Sequence, residues 1–401
     1  MSQFDYALKD LSITENLLLI QDIDGVCIPL VKNPLDRVID PSYILAASKF
    51  KDEFAVLTNG EHEGKRGVNR VIERSLKNKK VSELGLYLPG LAAGGIEYQD
   101  KYGKTNHTGI KEEEIQFLSK LPNLMEKLLK EYSAQIITNK SKVELDYIVQ
   151  LSVLDTIYSP TINLNGFFEI IREDIYKQRE LQDMLLKLML VLINKAESEG
   201  LDNSFYLHIA PNLGGSKKGL ENDIKYAQIN DIGTTDIQFM LNGAKKEYGL
   251  IVLINKYIEK KKGYAPLGKD FNVRNCPKDI LSQIKLCKDH ILEEDMPLLV
   301  GVGDTVTSTY SKTVSGFLRG GSDRGFLTLI QELGKAYKKD NKVFLVDSSG
   351  GEVQRPSLKN NNTIGITDSE DTLKFDLIFQ DGPPQYISFF KDLANLRSIT
   401  Y

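Results

Sequence analysis

The chain has little of what marks a special environment. Of its 401 residues only three are cysteine, Cys27, Cys276 and Cys287, and they show none of the close pairings of metal or redox motifs. So sparse and odd a set excludes a disulfide-stapled scaffold and fits a reducing compartment. No run of about 18 apolar residues occurs, so no membrane-spanning helix is expected. The opening residues, MSQFDYALKD, lack a basic stretch followed by an apolar core, which argues against a secretory leader. An excess of one charge is missing too: the formal net charge is −4, with both signs mixed along the sequence. The short basic runs Lys77–Lys80 and Lys260–Lys262 read as solvated helix ends or loops, not as a nucleic-acid footprint. A cytoplasmic protein with no nucleic-acid and no membrane partner is therefore the expectation. Internal repeats and low-complexity tracts are absent as well.

What the chain does have is an ordinary globular composition, 41% hydrophobic and 26% charged, and a length that suits two domains or one core with an inserted module. Its organising stretch is Leu17–Ile28, LLLIQDIDGVCI. Leu17–Ile20 form a continuous apolar run, as in a buried parallel strand. Asp22 and Asp24 follow at i and i+2, and Gly25 opens a tight loop. Two like charges so close are costly unless a cation or a shared proton compensates them. A divalent metal is the economical reading, with Asp22 as nucleophile and Asp24 as proton carrier.

Three later stretches repeat or complement this pattern. Glu53–Leu57 form a second apolar strand that ends in Thr58-Asn59-Gly60, where a hydroxyl and a glycine suit a phosphate oxygen. His62, Lys65 and Arg66 lie just beyond it, within reach of a substrate. Lys246, three residues before Gly249, precedes the apolar helix Leu250–Ile258 and is placed to hold a carboxylate and a phosphoryl group in register. Lys245 is its neighbouring alternative, and Lys217 with Lys218 make a rival pair. Pro297–Val302 are a further apolar strand, ending in Gly303-Asp304. In a doubly wound sheet such strand ends share one edge, so Asp22, Thr58 and Asp304 should converge on one crevice.

Between these stretches the texture changes. A helix is expected over Ser42–Lys51 after an irregular, proline-bearing segment. The glycine-rich Gly85–Gly95 permits close backbone approach. Amphipathic helices are expected over Lys111–Glu131 and Asp174–Glu199, with a less regular region, Gln135–Asn165, between them. Strands follow at Phe205–Ala210 and Thr235–Leu241, with His208 read as a packed strand residue. Helices over an antiparallel sheet make a lid-like insertion. Further on, a polar segment spans Thr309–Ser322, a helix Gly325–Leu333, a last core strand Lys342–Val346, a polar loop 350–371 and a closing helix Gln385–Ala394.

Asp-x-Asp-Gly-Val, the TNG turn, the lysine before its helix and Gly-Asp resemble, in this order, the four motifs of the haloacid dehalogenase superfamily. The resemblance implies an α/β fold: a doubly wound Rossmann-like haloacid dehalogenase core (residues 1–100 and 241–401) with an inserted α+β cap domain (101–240) of the large-cap branch. It implies catalytic roles for Asp22, Asp24, Thr58 and Lys246. Mg²⁺ would be held by the Asp22 carboxylate, the Asp24 backbone carbonyl and Asp304. One departure stands out, because Ser308 occupies the position where a second acid is expected. Asp323 supplies that carboxylate or none is needed.

Longer phrases, among them NLLLIQDIDGVCIPLVKNPLDR, FAVLTNGEHEGKRGV, GLYLPGLAAGG, GTTDIQFML and LLVGVGDTVTS, resemble the glucosylglycerol-phosphate phosphatase family. That resemblance implies the small-molecule sugar phosphate glucosylglycerol 3-phosphate as substrate, in compatible-solute synthesis of salt-stressed cyanobacteria. It also implies a functional association with glucosylglycerol-phosphate synthase. Asn59, Gly60, Glu61, His62 and Asn212 are the expected substrate contacts. Other readings are a phosphatase for sucrose or trehalose phosphate, a phospho-aspartate receiver, or an inactive sugar-phosphate-binding protein.

Overall fold

The computed structural model describes residues 2–77, 80–138, 140–214, 224–229, 231–312 and 315–400. Lys217 and Lys218 lie outside them. Among the described residues, the strands in chain order are β1 Leu17–Gln21, β2 Phe54–Leu57, β3 Gly90–Ala92, β4 Glu97–Gln99, β5 Thr105–His107, β6 Val153–Leu154, β7 Thr161–Asn163, β8 Phe205–Ala210, β9 Asp236–Leu241, β10 Leu298–Gly303, β11 Thr307–Ser311, β12 Gly316–Gly320, β13 Lys342–Val346 and β14 Leu377–Phe379. Eight of them form one sheet in the order β14-β13-β10-β1-β2-β3-β4-β5. From β14 to β3 every pairing is parallel, and β4 and β5 then run antiparallel.

Alternation along β1 shows why this sheet is wound on both faces. Leu17 and Leu19 pack into one core, with residues of the helices Pro41–Ala47, Val68–Leu76 and Pro383–Thr400. Leu18 and Ile20 face the other, with the helices Lys246–Lys262, Ile280–His290 and Arg324–Tyr337. All five residues of β1 are buried, as a central parallel strand requires. The second core runs on without a break into the inserted segment.

That segment contains a four-stranded antiparallel sheet, β6-β7-β9-β8. Phe205, Leu207 and Ile209 of β8, with Ile237 and Phe239 of β9, pack on the helices Leu121–Ile136 and Ile175–Ser198. The alternate residues, Tyr206, His208, Asp236 and Gln238, lie on the opposite face, which turns toward the core. A boundary at residue 100 falls between β4 and β5, and both strands belong to the eight-stranded sheet.

Several elements differ from expectation. The predicted helix Lys111–Glu131 is two helices, Glu112–Leu118 and Leu121–Ile136, because Pro122 has no N–H to continue the ladder. The region 135–165 is more regular than expected: it holds the helix Lys142–Ser152, β6 and β7. Its start was legible as a Ser-x-x-Glu capping box, in which the Ser141 hydroxyl accepts from the Glu144 N–H and the Glu144 carboxylate accepts from the Ser141 N–H. The helix expected over Ser42–Lys51 ends at Ala47 and passes into a short 3₁₀ turn. Within the segment read as polar, β11 and β12 form a hairpin. Lys342–Val346 is not the last strand, since β14 adds to the sheet edge; three residues are too few to show a period.

Candidate active site

The carboxyl ends of β1, β2 and β10 open on one edge of the large sheet, opposite the polar face of the inserted one. Asp22 follows β1 directly, and its N–H donates to the Val302 carbonyl of β10 at 2.9 Å. One carboxylate oxygen accepts from the Ile23 N–H at 2.8 Å, and the other meets the Lys246 ammonium at 2.6 Å. Lys246 opens its helix and is buried; it also reaches Asp323 at 2.6 Å. Asp323 is fully buried and turns its second oxygen to the N–H groups of Asp304 and Thr305, both at 2.9 Å. One Asp304 oxygen accepts from the Thr305 hydroxyl at 3.0 Å, while Oδ2 is buried without a hydrogen-bond partner among the described residues.

Glycine makes this crowding possible at two points. Gly25 has φ +85°, and a Cβ there would come within 2.2 Å of the Asp304 carboxylate. At Gly303 a Cβ would come within 2.7 Å of the Asp323 side chain. The chain thus gives up side chains so that carboxylates can approach its backbone.

Electrostatics show what the cluster needs. Burial pushes the Asp22 carboxyl up to about 7, with Asp323 adding to the rise and Lys246 opposing it. Burial, then Asp323 and Asp22, hold Asp304 well above the usual carboxylate range. For Lys246 burial works to lower the value, but Asp22 and Asp323 outweigh it and keep the ammonium protonated. Three carboxylates against one ammonium leave an excess of negative charge out of water. Donor atoms of Asp22, Asp304 and Asp323 lie within 4.8 Å of one another. With the orphaned Asp304 oxygen, that donor set fits a hard divalent cation.

Around the acids, the expected residues divide. Thr58 directly follows β2, and its hydroxyl oxygen accepts from the Gly60 N–H at 3.2 Å, which leaves its own proton for a ligand. Asp24 lines the same cleft but turns to Arg37, whose guanidinium donates to it at 3.0 Å. Asn59 reaches across to His208 of β8, 2.9 Å from its Nε2. Glu61 lines the cleft with both oxygens engaged, accepting from the N–H groups of Ile157, Tyr158 and Ser159 at 2.7–2.9 Å. It ties the loop before β7 to the core. His62 is fully buried behind the cleft, and its N–H donates to Glu97 at 2.7 Å. Asn212 is buried too; its side chain bonds the backbone of Ile209, Gly214 and Gly321. The structure thus brings Asp22, Asp24, Thr58, Asn59, Gly60, Glu61 and Lys246 to one cleft, with Asp304 behind Asp22, and sets His62 and Asn212 in the surrounding scaffold.

Lys245 sits over the Tyr248 and Tyr206 rings, 5.5 and 5.9 Å from their centroids, so Lys246 is the lysine at the acids. Ser308 bonds Asp368, which Arg319 holds through two N–H groups at 2.7 and 2.9 Å. The missing acid is therefore not rebuilt at that position, and Asp323 is the third carboxylate of the cluster instead.

Sequence reasoning missed Arg37 and Arg355. Arg355 enters the cleft from the polar loop 350–371, near the Thr235 hydroxyl, with its Nε buried and without a hydrogen-bond partner among the described residues. A lone arginine in an irregular stretch carries no periodic signal. The polar row from the inserted sheet, Thr161, Asn163, Asp236 and Gln238, was missed as well. Cross-strand register makes them neighbours: Thr161 pairs with Gln238, and Asn163 with Asp236. The cleft has a volume of about 210 Å³, and no described helix is long and apolar enough to cross a membrane.

Fold and site together define a doubly wound α/β protein whose acid–lysine centre lies at the strand ends of the core, beneath an inserted antiparallel sheet. The family model described as "Glucosylglycerol-phosphate phosphatase" matches residues 16–394. A protein of that name from Synechocystis sp. (strain ATCC 27184 / PCC 6803 / Kazusa) is 42% identical, over 98% of this chain and 96% of its own. The chain belongs to the glucosylglycerol-phosphate phosphatase family. Among solved structures, the C-terminal domain of a Candida albicans trehalose synthase regulatory protein aligns over 98% of both chains, with 10% identity and a TM-score of 0.45. The C-terminal domain of C. albicans trehalose-6-phosphate phosphatase aligns over 98% of this chain and 97% of its own, with 12% identity and a TM-score of 0.43.

Proposed function

We propose that this protein is a Mg²⁺-dependent phosphatase of the haloacid dehalogenase type that hydrolyses glucosylglycerol 3-phosphate to glucosylglycerol and phosphate. One observation carries the chemistry: Asp22, Asp304 and Asp323 gather at the strand ends, with Lys246 on Asp22 and Asp323, and one buried Asp304 oxygen has no hydrogen-bond partner among the described residues. The substrate rests on the family and on the 42% identical relative of that name.

Asp22 attacks phosphorus, the ester P–O bond breaks, and Asp24 gives its proton to the leaving alkoxide. Water then attacks phosphorus, its proton passes to Asp24, and the bond to Asp22 breaks to release inorganic phosphate. Asp22, Asp304 and the Asp24 carbonyl would hold Mg²⁺, which would supply the positive charge that lets a phosphate dianion sit beside carboxylates. Lys246 holds Asp22 in place and screens it, and the Thr58 hydroxyl donates to a phosphoryl oxygen. Asp24 must turn from Arg37 to reach the leaving group. Arg37 is thus a positioning residue.

Residues 101–240 act as the cap in this reading, and the Thr161–Gln238 and Asn163–Asp236 pairs face the glucosyl part. We place the enzyme in the cytoplasm, consuming the product of a glucosylglycerol-phosphate synthase in compatible-solute synthesis. The test is phosphate release from glucosylglycerol 3-phosphate, sucrose phosphate and trehalose phosphate, with and without Mg²⁺. Hydrolysis should need Mg²⁺ and favour the first substrate by at least about tenfold in kcat/KM. Preference for another sugar phosphate overturns the substrate, and full activity in excess chelator overturns the metal role.

A further inference from the structure

At the root of the inserted segment, three metal-binding side chains that the proposed reaction does not use converge. Glu97 on β4 and His107 on β5 are directly opposite in the antiparallel pair, so both side chains leave the same face of the sheet. Glu63 arrives from the loop after β2. Donor atoms of the three lie within 4.8 Å of one another. Glu97 is fully buried, and its Oε2 accepts from the His62 N–H at 2.7 Å. Its Oε1 is buried without a hydrogen-bond partner among the described residues, as is Nε2 of His107. These two atoms face each other at the ion-pair distance of 3.7 Å. The gap is too wide for a hydrogen bond. An ion bonded to each at about 2.0–2.2 Å would span it.

We propose that Glu63, Glu97 and His107 form a second metal site, for a divalent transition ion of the zinc class. An imidazole nitrogen selects such ions over Mg²⁺, which takes an all-oxygen shell. Three protein ligands leave the remaining coordination to water, on the partly exposed side where Glu63 and His107 lie. The ion braces the junction between core and cap. The His107 ring stacks on that of Tyr158, with centroids 4.4 Å apart and planes at 30°. Tyr158 in turn donates its N–H to Glu61 at 2.7 Å. Holding His107 still therefore holds the platform on which the cap's 157–159 loop rests.

The full-length protein, stripped with chelator, is dialysed against micromolar Zn²⁺ in excess Mg²⁺, and bound zinc is counted by atomic emission. The wild type and Asp304→Asn should each retain a single equivalent, because the catalytic acids are not its ligands. His107→Ala and Glu63→Gln should bind zinc at least about tenfold more weakly, with unchanged far-UV circular dichroism. Zinc should raise Tm in the wild type and not in His107→Ala. An anomalous peak at the zinc edge between Glu97 and His107 would place the ion. Equal zinc in the wild type and His107→Ala, or its loss in Asp304→Asn alone, overturns the site and leaves Glu97 and His107 as a metal-free pair. Neither result bears on the phosphatase reading.

Discussion

Two sheets meet at the cleft, and they present their side chains in opposite ways. The large parallel sheet works through its ends: β1, β2 and β10 stop at one edge and deliver Asp22, Thr58 and Asp304 there. The small antiparallel sheet works through a face: Thr161, Asn163, Gln238 and Asp236 stand side by side because their strands pair in that register. The first arrangement concentrates charge at a point, where bonds can be broken. The second spreads hydrogen-bonding groups over a surface, which suits recognition of a polyol. The core should therefore control turnover, and the cap wall affinity.

The largest expected effect lies at the strand ends. Asp22→Asn should lower phosphate release by at least about 10⁴-fold, with the circular dichroism unchanged; turnover within tenfold of wild type would remove Asp22 as nucleophile. Lys246→Met comes next, because it leaves Asp22 and Asp323 buried without their cation. Turnover should fall by about 10²–10³-fold, and urea melts without Mg²⁺ should show a loss of about 3–5 kcal/mol. Added Mg²⁺ should restore part of that stability, and an equal loss with and without it would mean that no ion shares the site.

Substitution on the cap wall should separate the two regions most sharply. Gln238→Ala removes a side chain whose Oε1 is buried without a hydrogen-bond partner among the described residues. Steady-state kinetics should show KM raised about tenfold with kcat within about threefold. A fall in kcat alone would break the division of labour drawn here.

The smallest effect is expected where the sheets touch. Burial, then Lys246 and Lys245, pull His208 down to about 4. Between pH 6.5 and 4 the unfolded chain binds a proton that the folded protein refuses, so stability falls as the pH falls through that window. His208→Gln should flatten the fall in thermal melts by on the order of 2 kcal/mol. Parallel wild-type and variant curves would place His208 in a more solvated setting.

The same division explains what could be read in advance. A strand end has a local signature, an apolar run closed by an acid, a hydroxyl or a glycine. The apolar runs Leu17–Ile20 before Asp22, Glu53–Leu57 before Thr58 and Pro297–Val302 before Gly303-Asp304 were visible for that reason, and β1, β2 and β10 form there. Lys246 was legible because it opens an apolar helix. The polar face of the inserted sheet was not, since Gln238 finds Thr161 and His208 only through pairing of strands far apart in the chain. Arg37 and Arg355 carry no pattern around them, and their places follow from loops folded against the cleft.

From its residues alone the chain was bound to bury alternating apolar strands between two layers of helices and to bring certain acids, a hydroxyl and a lysine to one edge. Order along the chain and hydrophobic period suffice for that, because both are local. Which groups each acid touches was settled by the packed fold: Asp24 to Arg37, Asp323 to Lys246, Glu61 to the backbone of the inserted segment. Such partners are chosen by distance in space, and separations of 13, 77 and 97 residues leave no trace in local sequence.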